Sequence, residues 1–253
     1  MSPGELIVAL MISDLLLYCS LMFIATLAGG LVTLIRPWSD EWLHLFLSFG
    51  AGIFLGAVFM HLLPETMGED WGHWSGLYIL AGYLLIFFVE RILLYRESGK
   101  DGHGHLVVSL TALIGLSVHS VMEGFGLAIV MPDKELAAVF FTSILAHKIP
   151  AAFSLASLMI LAKQTRGKTV LGLLLFAATA PLGALVLGPM LDYEQAASLR
   201  PFTGVVTGSF LYVATADLLP EVFHSRERRW INLLLMIIGV VLMSLFCPGD
   251  GHH

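Results

Sequence analysis

The chain has 253 residues, of which 57% are hydrophobic and only 13% are charged, and its formal charge is -6. Soluble globular domains carry about 25% charged residues, so this composition excludes a water-soluble protein. The apolar runs are continuous and rich in Leu, Ala, Gly, Met and Phe, whereas a membrane β-barrel needs short segments that alternate between apolar and polar residues. We therefore predict an all-α integral membrane protein.

A helix needs about 20 apolar residues to cross the hydrocarbon core of a membrane, which is roughly 30 Å thick. The sequence contains about eight apolar runs of this length, which we predict as membrane-spanning helices. In chain order they are Leu6 to Ile35, Trp42 to Leu63, Trp74 to Tyr95, Leu106 to Val130, Leu136 to Ala162, Thr169 to Met190, Phe202 to Leu219 and Trp230 to Phe246. The connections are too short for a second folded unit, so residues 1–253 are expected to form a single transmembrane domain.

The basic residues predict the orientation of the chain. Ten of the 13 Lys and Arg residues lie in or beside the first, third, fifth and seventh connections. They are Arg36, Arg91, Arg96, Lys100, Lys163, Arg166, Lys168, Arg226, Arg228 and Arg229. The opposite face has only Lys134 and Arg200. Because basic residues are held on the cytoplasmic side during insertion, these four connections are predicted to face the cytoplasm and both termini to face away from it.

Several ionisable residues fall within or at the ends of the predicted spans. They are His61, His119, Glu123, His147, Lys148 and Asp217. An uncompensated charge there costs several kcal/mol, so such residues are usually paired, bound to an ion or exposed to a wet cavity. His119 and Glu123 are four residues apart, which places them on one face of the fourth helix, at a spacing that lets two side chains bind one ion. The pattern predicts a polar site inside the membrane.

Two pairs of spans resemble each other in sequence. The fourth span reads HSVMEGFGLA from His119 and the fifth reads HKIPAAFSLA from His147, so His, Phe, Leu and Ala recur at the same offsets. The second span ends in HLLPE from His61, and the seventh ends in DLLPE from Asp217. The members of each pair cross the membrane in opposite directions. This pattern is typical of inverted repeats in transporters, whose substrate sites lie at the repeat interface near mid-membrane.

The same residues resemble the signatures of the ZIP (Zrt- and Irt-like) family of metal transporters. The similarity rests on HxxxEG from His119 and HKxPAAFS from His147, with HLLPE from His61 in support. It covers essentially the whole chain in the number, orientation and length of the spans. It is strongest to the branch with a His-Lys-x-Pro-Ala-Ala-Phe fifth helix, and the short loops are typical of prokaryotic members. The resemblance implies one transporter domain that carries divalent transition-metal ions into the cytoplasm.

The resemblance also assigns roles to individual positions. It implies that His119, Glu123 and His147 are the primary metal ligands. Asp217 matches a position near the second metal site of two-metal members, and His61 matches one near the entrance.

Further positions depart from the two-metal members of the family. Lys148 and Ala151 replace acidic residues there, and Ser120 stands where many relatives have Asn or Asp. The resemblance therefore implies one metal site, with the Lys148 ammonium in place of a second ion and paired with Asp217 or Glu123. Weaker candidates along the pathway are Glu65, Glu221 and the loop residues His103 and His105.

The ligand types limit which metal is carried. Imidazole with carboxylate suits zinc, ferrous iron, manganese and cadmium, and the candidate set has no thiolate to favour copper(I). We expect zinc as the transported substrate, without a permanent cofactor and without a nucleic-acid partner. The expected location is the cell membrane, the inner membrane in a bacterium, with a homodimer as one oligomeric alternative. The terminal His252 and His253 are either native or a remnant of expression.

Two other classes of protein use similar residues. A zinc-dependent intramembrane hydrolase would hold its metal with His119, Glu123, His147 and Asp217, but the sequence has neither His-Glu-x-x-His nor Gly-x-Ser-x-Gly. A haem protein would use His119 and His147 as axial ligands, which leaves Glu123 and Lys148 without a purpose. We therefore expect a transporter rather than an enzyme.

Overall fold

The computed structural model describes residues 3–35, 37–67, 74–90, 104–187, 200–223 and 228–246, and every regular element within these ranges is helical. The α-helices are α1 Pro3–Leu31, α2 Asp40–Ala57, α3 Leu63–Thr66, α4 Trp74–Phe88, α5 Gly104–Val130, α6 Lys134–Leu161, α7 Arg166–Leu182, α8 Arg200–Tyr212, α9 Leu219–Val222 and α10 Arg229–Phe246. The prediction of an all-α chain is thus confirmed for the described residues.

Five helical segments in the described part of the chain are long and apolar enough to cross a membrane. They are Ala9–Leu34, Asp40–Leu62, Val108–Val130, Lys134–Leu161 and Arg166–Val186. They correspond to the first, second, fourth, fifth and sixth predicted spans. Two shorter apolar helices, Trp74–Phe88 and Arg229–Leu245, fall in the third and eighth, and α8 falls in the seventh. The chain is therefore a helical membrane protein, while the total of eight crossings stays a prediction.

Wide π-helical turns interrupt the second and seventh predicted spans just before their Leu-Pro-Glu sequences. Val58–Leu62 joins α2 to α3, and Val213–Leu218 joins α8 to α9. Each turn is followed within two residues by a proline, Pro64 or Pro220. Proline has no backbone N–H, so the carbonyl four residues earlier loses its helical partner and the ladder of hydrogen bonds must rearrange. His61 and Asp217, the ionisable residues of the two Leu-Leu-Pro-Glu segments, both lie in these turns.

The centre of the bundle is an apolar core to which α2, α5, α6, α7 and α8 contribute. Representative buried members are Leu47, Phe54, Leu155, Phe176 and Phe210. Around it α1 packs along α6 and α7, α10 packs along α2, and α4 packs along α8. The central position of α5 and α6 places their inward faces away from lipid.

Helix α5 approaches the end of α7 so closely that only glycine fits between them. A Cβ atom at Gly124 would lie 1.9 Å from the Ala180 carbonyl oxygen, and one at Gly183 would lie 1.9 Å from the Val121 carbonyl oxygen. These contacts hold α5 at a fixed distance from α7, next to the residue Glu123.

We expect Gly183→Ala to lower the midpoint of thermal unfolding, because the added methyl group and the Val121 carbonyl cannot occupy the same space. Overpacking of this kind costs about 1–3 kcal/mol. The matched control is Gly76→Ala, since a Cβ atom at Gly76 meets nothing within 4 Å. Equal midpoints for the two variants, measured in the same detergent, would show that α5 and α7 are not in close contact at Gly183.

Candidate metal site

Three potential metal ligands meet in the middle of the core. His119 and Glu123 come from α5 and His147 comes from α6, and all three are buried. One ligand atom from each lies within 4.8 Å of the others. Nε2 of His147 is 2.5 Å from Oε1 of Glu123, and Nε2 of His119 is 3.2 Å from the same oxygen. Two imidazoles therefore converge on one carboxylate oxygen.

The local sequence explains how the two helices present these residues. On α5 the four-residue spacing puts His119 and Glu123 one turn apart on one face. A short turn then leads into α6, whose first turn is capped by Asp133: its carboxylate accepts hydrogen bonds from the backbone N–H groups of Glu135 and Leu136. The connection is so short that α5 and α6 run side by side. This hairpin brings His147 opposite Glu123.

The second oxygen of Glu123 is held by a buried lysine. Nζ of Lys148 lies 2.6 Å from Oε2 of Glu123 and 2.5 Å from Oγ of Ser120. The side chain is 1% exposed, and its ammonium lies 5.3 Å from the centre of the Phe176 ring. Of the two partners expected for Lys148, Glu123 is the one within hydrogen-bonding distance. The carboxylate thus divides its oxygens between an ammonium and the two imidazoles.

The histidines keep polar atoms that the described residues do not satisfy. Nδ1 of His147 and Nδ1 of His119 are buried without a hydrogen-bond partner among the described residues, and the 3.2 Å contact between Nε2 of His119 and Glu123 lacks the alignment of a hydrogen bond. Buried polar atoms are normally paired, because a buried group that loses water without gaining a partner is costly. Two imidazoles and one carboxylate match the donor types and number that zinc takes when one coordination position stays open. The donor set therefore fits a divalent metal ion.

Ring stacking orients the imidazole of His119. Its centroid is 4.2 Å from that of Phe210, and the planes are inclined by 27°. Phe210 is buried and packs in turn against Phe54, with centroids 4.9 Å apart. Metal-bound histidines are usually oriented by a hydrogen bond from the other ring nitrogen, so here an aromatic contact takes that role. No sequence signal pointed to Phe210.

The remaining candidates lie outside this cluster. Asp217 is buried and accepts a 2.9 Å hydrogen bond from Oγ1 of Thr111. Thr111 is eight residues before His119 on α5, so it lies about 12 Å away along the helix axis. No spacing in the sequence marked Thr111, because eight residues separate it from His119 and a helix turns by about 80° over that distance. His61 is half-buried in its π-helical turn, away from the three-residue group.

The weaker candidates are described in part or not at all. Glu65 lies in α3, His105 in α5 and Glu221 in α9. For these three residues the structure describes the backbone but not the side chain. His103, His252 and His253 lie outside the described residues.

Comparison with known proteins places the chain in a family. A family model described as ZIP zinc transporter matches residues 13–104 and 95–246. The chain is 29% identical to zinc transporter ZIP9-B of Xenopus laevis, over 92% of this chain and 98% of that protein. It is 29% identical to human zinc transporter ZIP13, over 85% of this chain and 73% of that protein. It is 26% identical to human zinc transporter ZIP2, over 77% of this chain and 81% of that protein. The chain therefore belongs to the ZIP family of zinc transporters.

Proposed function

We propose that this protein transports divalent transition-metal ions, with zinc as the main substrate, through a site formed by His119, Glu123 and His147. The observation that carries the proposal is the convergence of two buried imidazoles on one carboxylate oxygen inside a helical membrane protein. Membership of the family supports zinc, because the similar proteins are named as zinc transporters. Those names also favour a transporter over the alternative of a zinc-dependent hydrolase that uses the same residues.

The ligand set is compatible with a transported ion. Three protein ligands leave at least one coordination position for water or for the next group along the path. Conduction requires a site that binds strongly enough to take up the ion and weakly enough to release it. Nitrogen and oxygen ligands also accept iron, manganese and cadmium, so zinc is expected to compete with these ions during transport.

The lysine limits the site to one metal ion. Its ammonium donates a hydrogen bond to Oε2 of Glu123, so Oε1 is the oxygen that can bind the metal. Two unit charges 4 Å apart repel by about 4 kcal/mol near a protein surface, and the repulsion doubles for a divalent ion. A second ion beside Oε2 would meet that repulsion. We therefore propose that Lys148 replaces a second metal ion.

The other ionisable residues fit a path along the bundle. We propose that His61 and Glu65 lie towards the entrance and that Asp217 and Glu221 lie towards the cytoplasmic exit. The matching π-helical turns at His61 and Asp217 support this assignment, since such turns are frequent at functional sites.

The same proposal covers the finer topology. We infer eight membrane crossings, in which the second span is an inverted repeat of the seventh and the fourth is an inverted repeat of the fifth. Both termini then lie outside the cytoplasm, and the ion is transported into the cytoplasm. The His-Lys-x-Pro-Ala-Ala-Phe segment from His147 supports the branch assignment. The similar proteins reported above come from vertebrates, so a prokaryotic source and a cell-membrane location stay predictions, as does a homodimer.

The test is zinc-65 uptake into proteoliposomes that contain the purified protein. We expect saturable uptake that is absent from empty vesicles and inhibited by cadmium and by ferrous iron. Failure of the folded protein to move zinc, iron, manganese or cadmium would overturn the proposed function.

We expect Phe210→Leu to weaken zinc binding by roughly 2- to 10-fold, because an aromatic stack is worth about 0.5–1.5 kcal/mol. The leucine keeps the core filled but leaves the His119 ring without its stacking partner. Isothermal titration of metal-free protein measures the change. Phe46→Leu is the control, since Phe46 packs among Trp38, Trp42 and Phe153 rather than against a candidate ligand. Equal zinc affinities of the two variants would show that Phe210 does not position His119.

A further inference from the structure

A groove opens between α5 and α7 at the end of the bundle where both helices begin. It has a volume of about 320 Å³, and its walls are Leu106, Leu110 and Leu113 of α5 and Leu171 and Leu175 of α7. From residue 106 to residue 113, or from residue 168 to residue 175, a helix rises about 10 Å. The groove therefore runs along roughly the first two turns of both helices.

Helix α6 closes the back of the groove with an apolar side chain. Met159 lies there because Gly172 has no side chain: a Cβ atom at Gly172 would be 2.9 Å from Sδ and from Cε of Met159. The groove thus has mostly leucine walls and a methionine floor, and the hydroxyl of Ser109 in its wall already donates a hydrogen bond to the Leu106 carbonyl. Such a surface has little to offer a hydrated ion and suits a hydrocarbon chain.

The rim of the groove has the opposite character. Lys168 and Gln164 line its outer end, at the connection between α6 and α7. Lys168 is exposed, and in the described part of the chain its ammonium forms no ion pair. Lys163 adds a second exposed charge to the same connection. The rim therefore offers positive charge and an amide donor directly above an apolar channel.

We propose that this groove binds an anionic phospholipid of the surrounding membrane. One acyl chain lies along Leu110, Leu113 and Leu175, and the phosphate is bound by the ammonium of Lys168 and the side-chain amide of Gln164. Basic pockets between membrane helices on the cytoplasmic side are suited to acidic headgroups, and the basic residues predict that this end faces the cytoplasm. A zwitterionic lipid is less favoured because its own cation lies beside the phosphate.

The position of the groove connects the lipid to the metal site. Helix α5 carries His119 and Glu123 beyond the inner end of the groove, and α7 contacts the same helix again at Gly124 and Gly183. A bound acyl chain fills the space that separates the two helices at their other end. The lipid thereby supports the helix that presents two of the three candidate ligands.

Native mass spectrometry of the purified full-length protein tests the proposal. The protein is mixed with phosphatidylglycerol and phosphatidylcholine of identical acyl chains, without metal. We expect one phosphatidylglycerol to be retained in preference to phosphatidylcholine, and Lys168→Glu to reduce this retention at least about tenfold. The control is Lys134→Glu, because Lys134 is an exposed lysine at the first position of α6, outside the groove, where it forms a surface ion pair with Asp14. It should retain phosphatidylglycerol as the unmodified protein does.

A second variant and a competitor separate a lipid site from a simple anion site. Leu110→Trp fills the apolar channel without changing the charge of the rim, and it should also lose the lipid. Millimolar inorganic phosphate should not displace phosphatidylglycerol, since phosphate alone cannot use the channel. Retention by Lys168→Glu at the unmodified level would overturn the proposal, and so would displacement by free phosphate together with retention by Leu110→Trp. Because no metal is present, these results do not depend on whether the proposed transport function is correct.

Discussion

His119→Ala and Glu123→Ala should each reduce zinc-65 uptake into proteoliposomes by more than about 100-fold, to the level of empty vesicles. Losing even an outer partner of a metal ligand costs about 10- to 100-fold in affinity or activity, and these variants lose a ligand itself. Glu123 provides the oxygen on which both imidazoles converge, so its removal leaves the two imidazoles without the carboxylate that joins them. Initial rates at equal protein incorporation measure the effect.

The two variants differ in what they do to the fold. Glu123→Ala leaves the Lys148 ammonium buried without its carboxylate, which destabilises a protein by about 3–5 kcal/mol. The double variant Glu123→Ala, Lys148→Ala removes both charges and should also show no uptake. His119→Ala leaves the ion pair intact and is the cleaner measurement.

The control for both is Glu135→Ala, which removes an exposed carboxylate from the first turn of α6. It should transport as the unmodified protein does. If folded His119→Ala protein transported zinc at the unmodified rate, the ion would have to use a different set of residues.

The features that are determined by residues close together in the sequence could be predicted from it. Composition and run length identified the long apolar helices, because the membrane imposes both. Helical periodicity placed His119 and Glu123 on one face, since a spacing of four residues is a property of the α-helix itself. His147 was added to them as a ligand by the resemblance to the ZIP family.

The contacts that depend on the register between helices could not be deduced from the sequence. Lys148 had two acidic candidates on other helices, and only the packing of α5 against α6 brings Glu123 to 2.6 Å. Phe210 stacks on His119 although 90 residues of chain separate them, and an aromatic residue in an apolar span has no pattern that marks it. The π-helical turns were likewise not predicted, because a proline near a helix end permits several rearrangements of the backbone.

Lys148→Met should raise the affinity for zinc at least about tenfold and lower the stability of the metal-free protein. Methionine keeps the length of the side chain and removes its charge, so the metal no longer experiences repulsion from an ammonium a few ångströms away. The Coulomb interaction is about 4 kcal/mol per unit charge at 4 Å in a partly polar environment, which makes a tenfold change a lower bound. Without metal, Glu123 then lacks its only lysine partner in the described structure, at a cost of about 3–5 kcal/mol.

These two effects are measured together by thermal unfolding with and without zinc. The metal-free midpoint should fall, and the increase on adding zinc should be larger than for the unmodified protein, because a ligand stabilises the folded state in proportion to the logarithm of its affinity. Lys148→Arg retains the charge and should keep the smaller zinc response. If Lys148→Met bound zinc no more tightly than the unmodified protein, the ammonium would not compete with the metal for Glu123, and its role would be confined to stabilising the buried carboxylate.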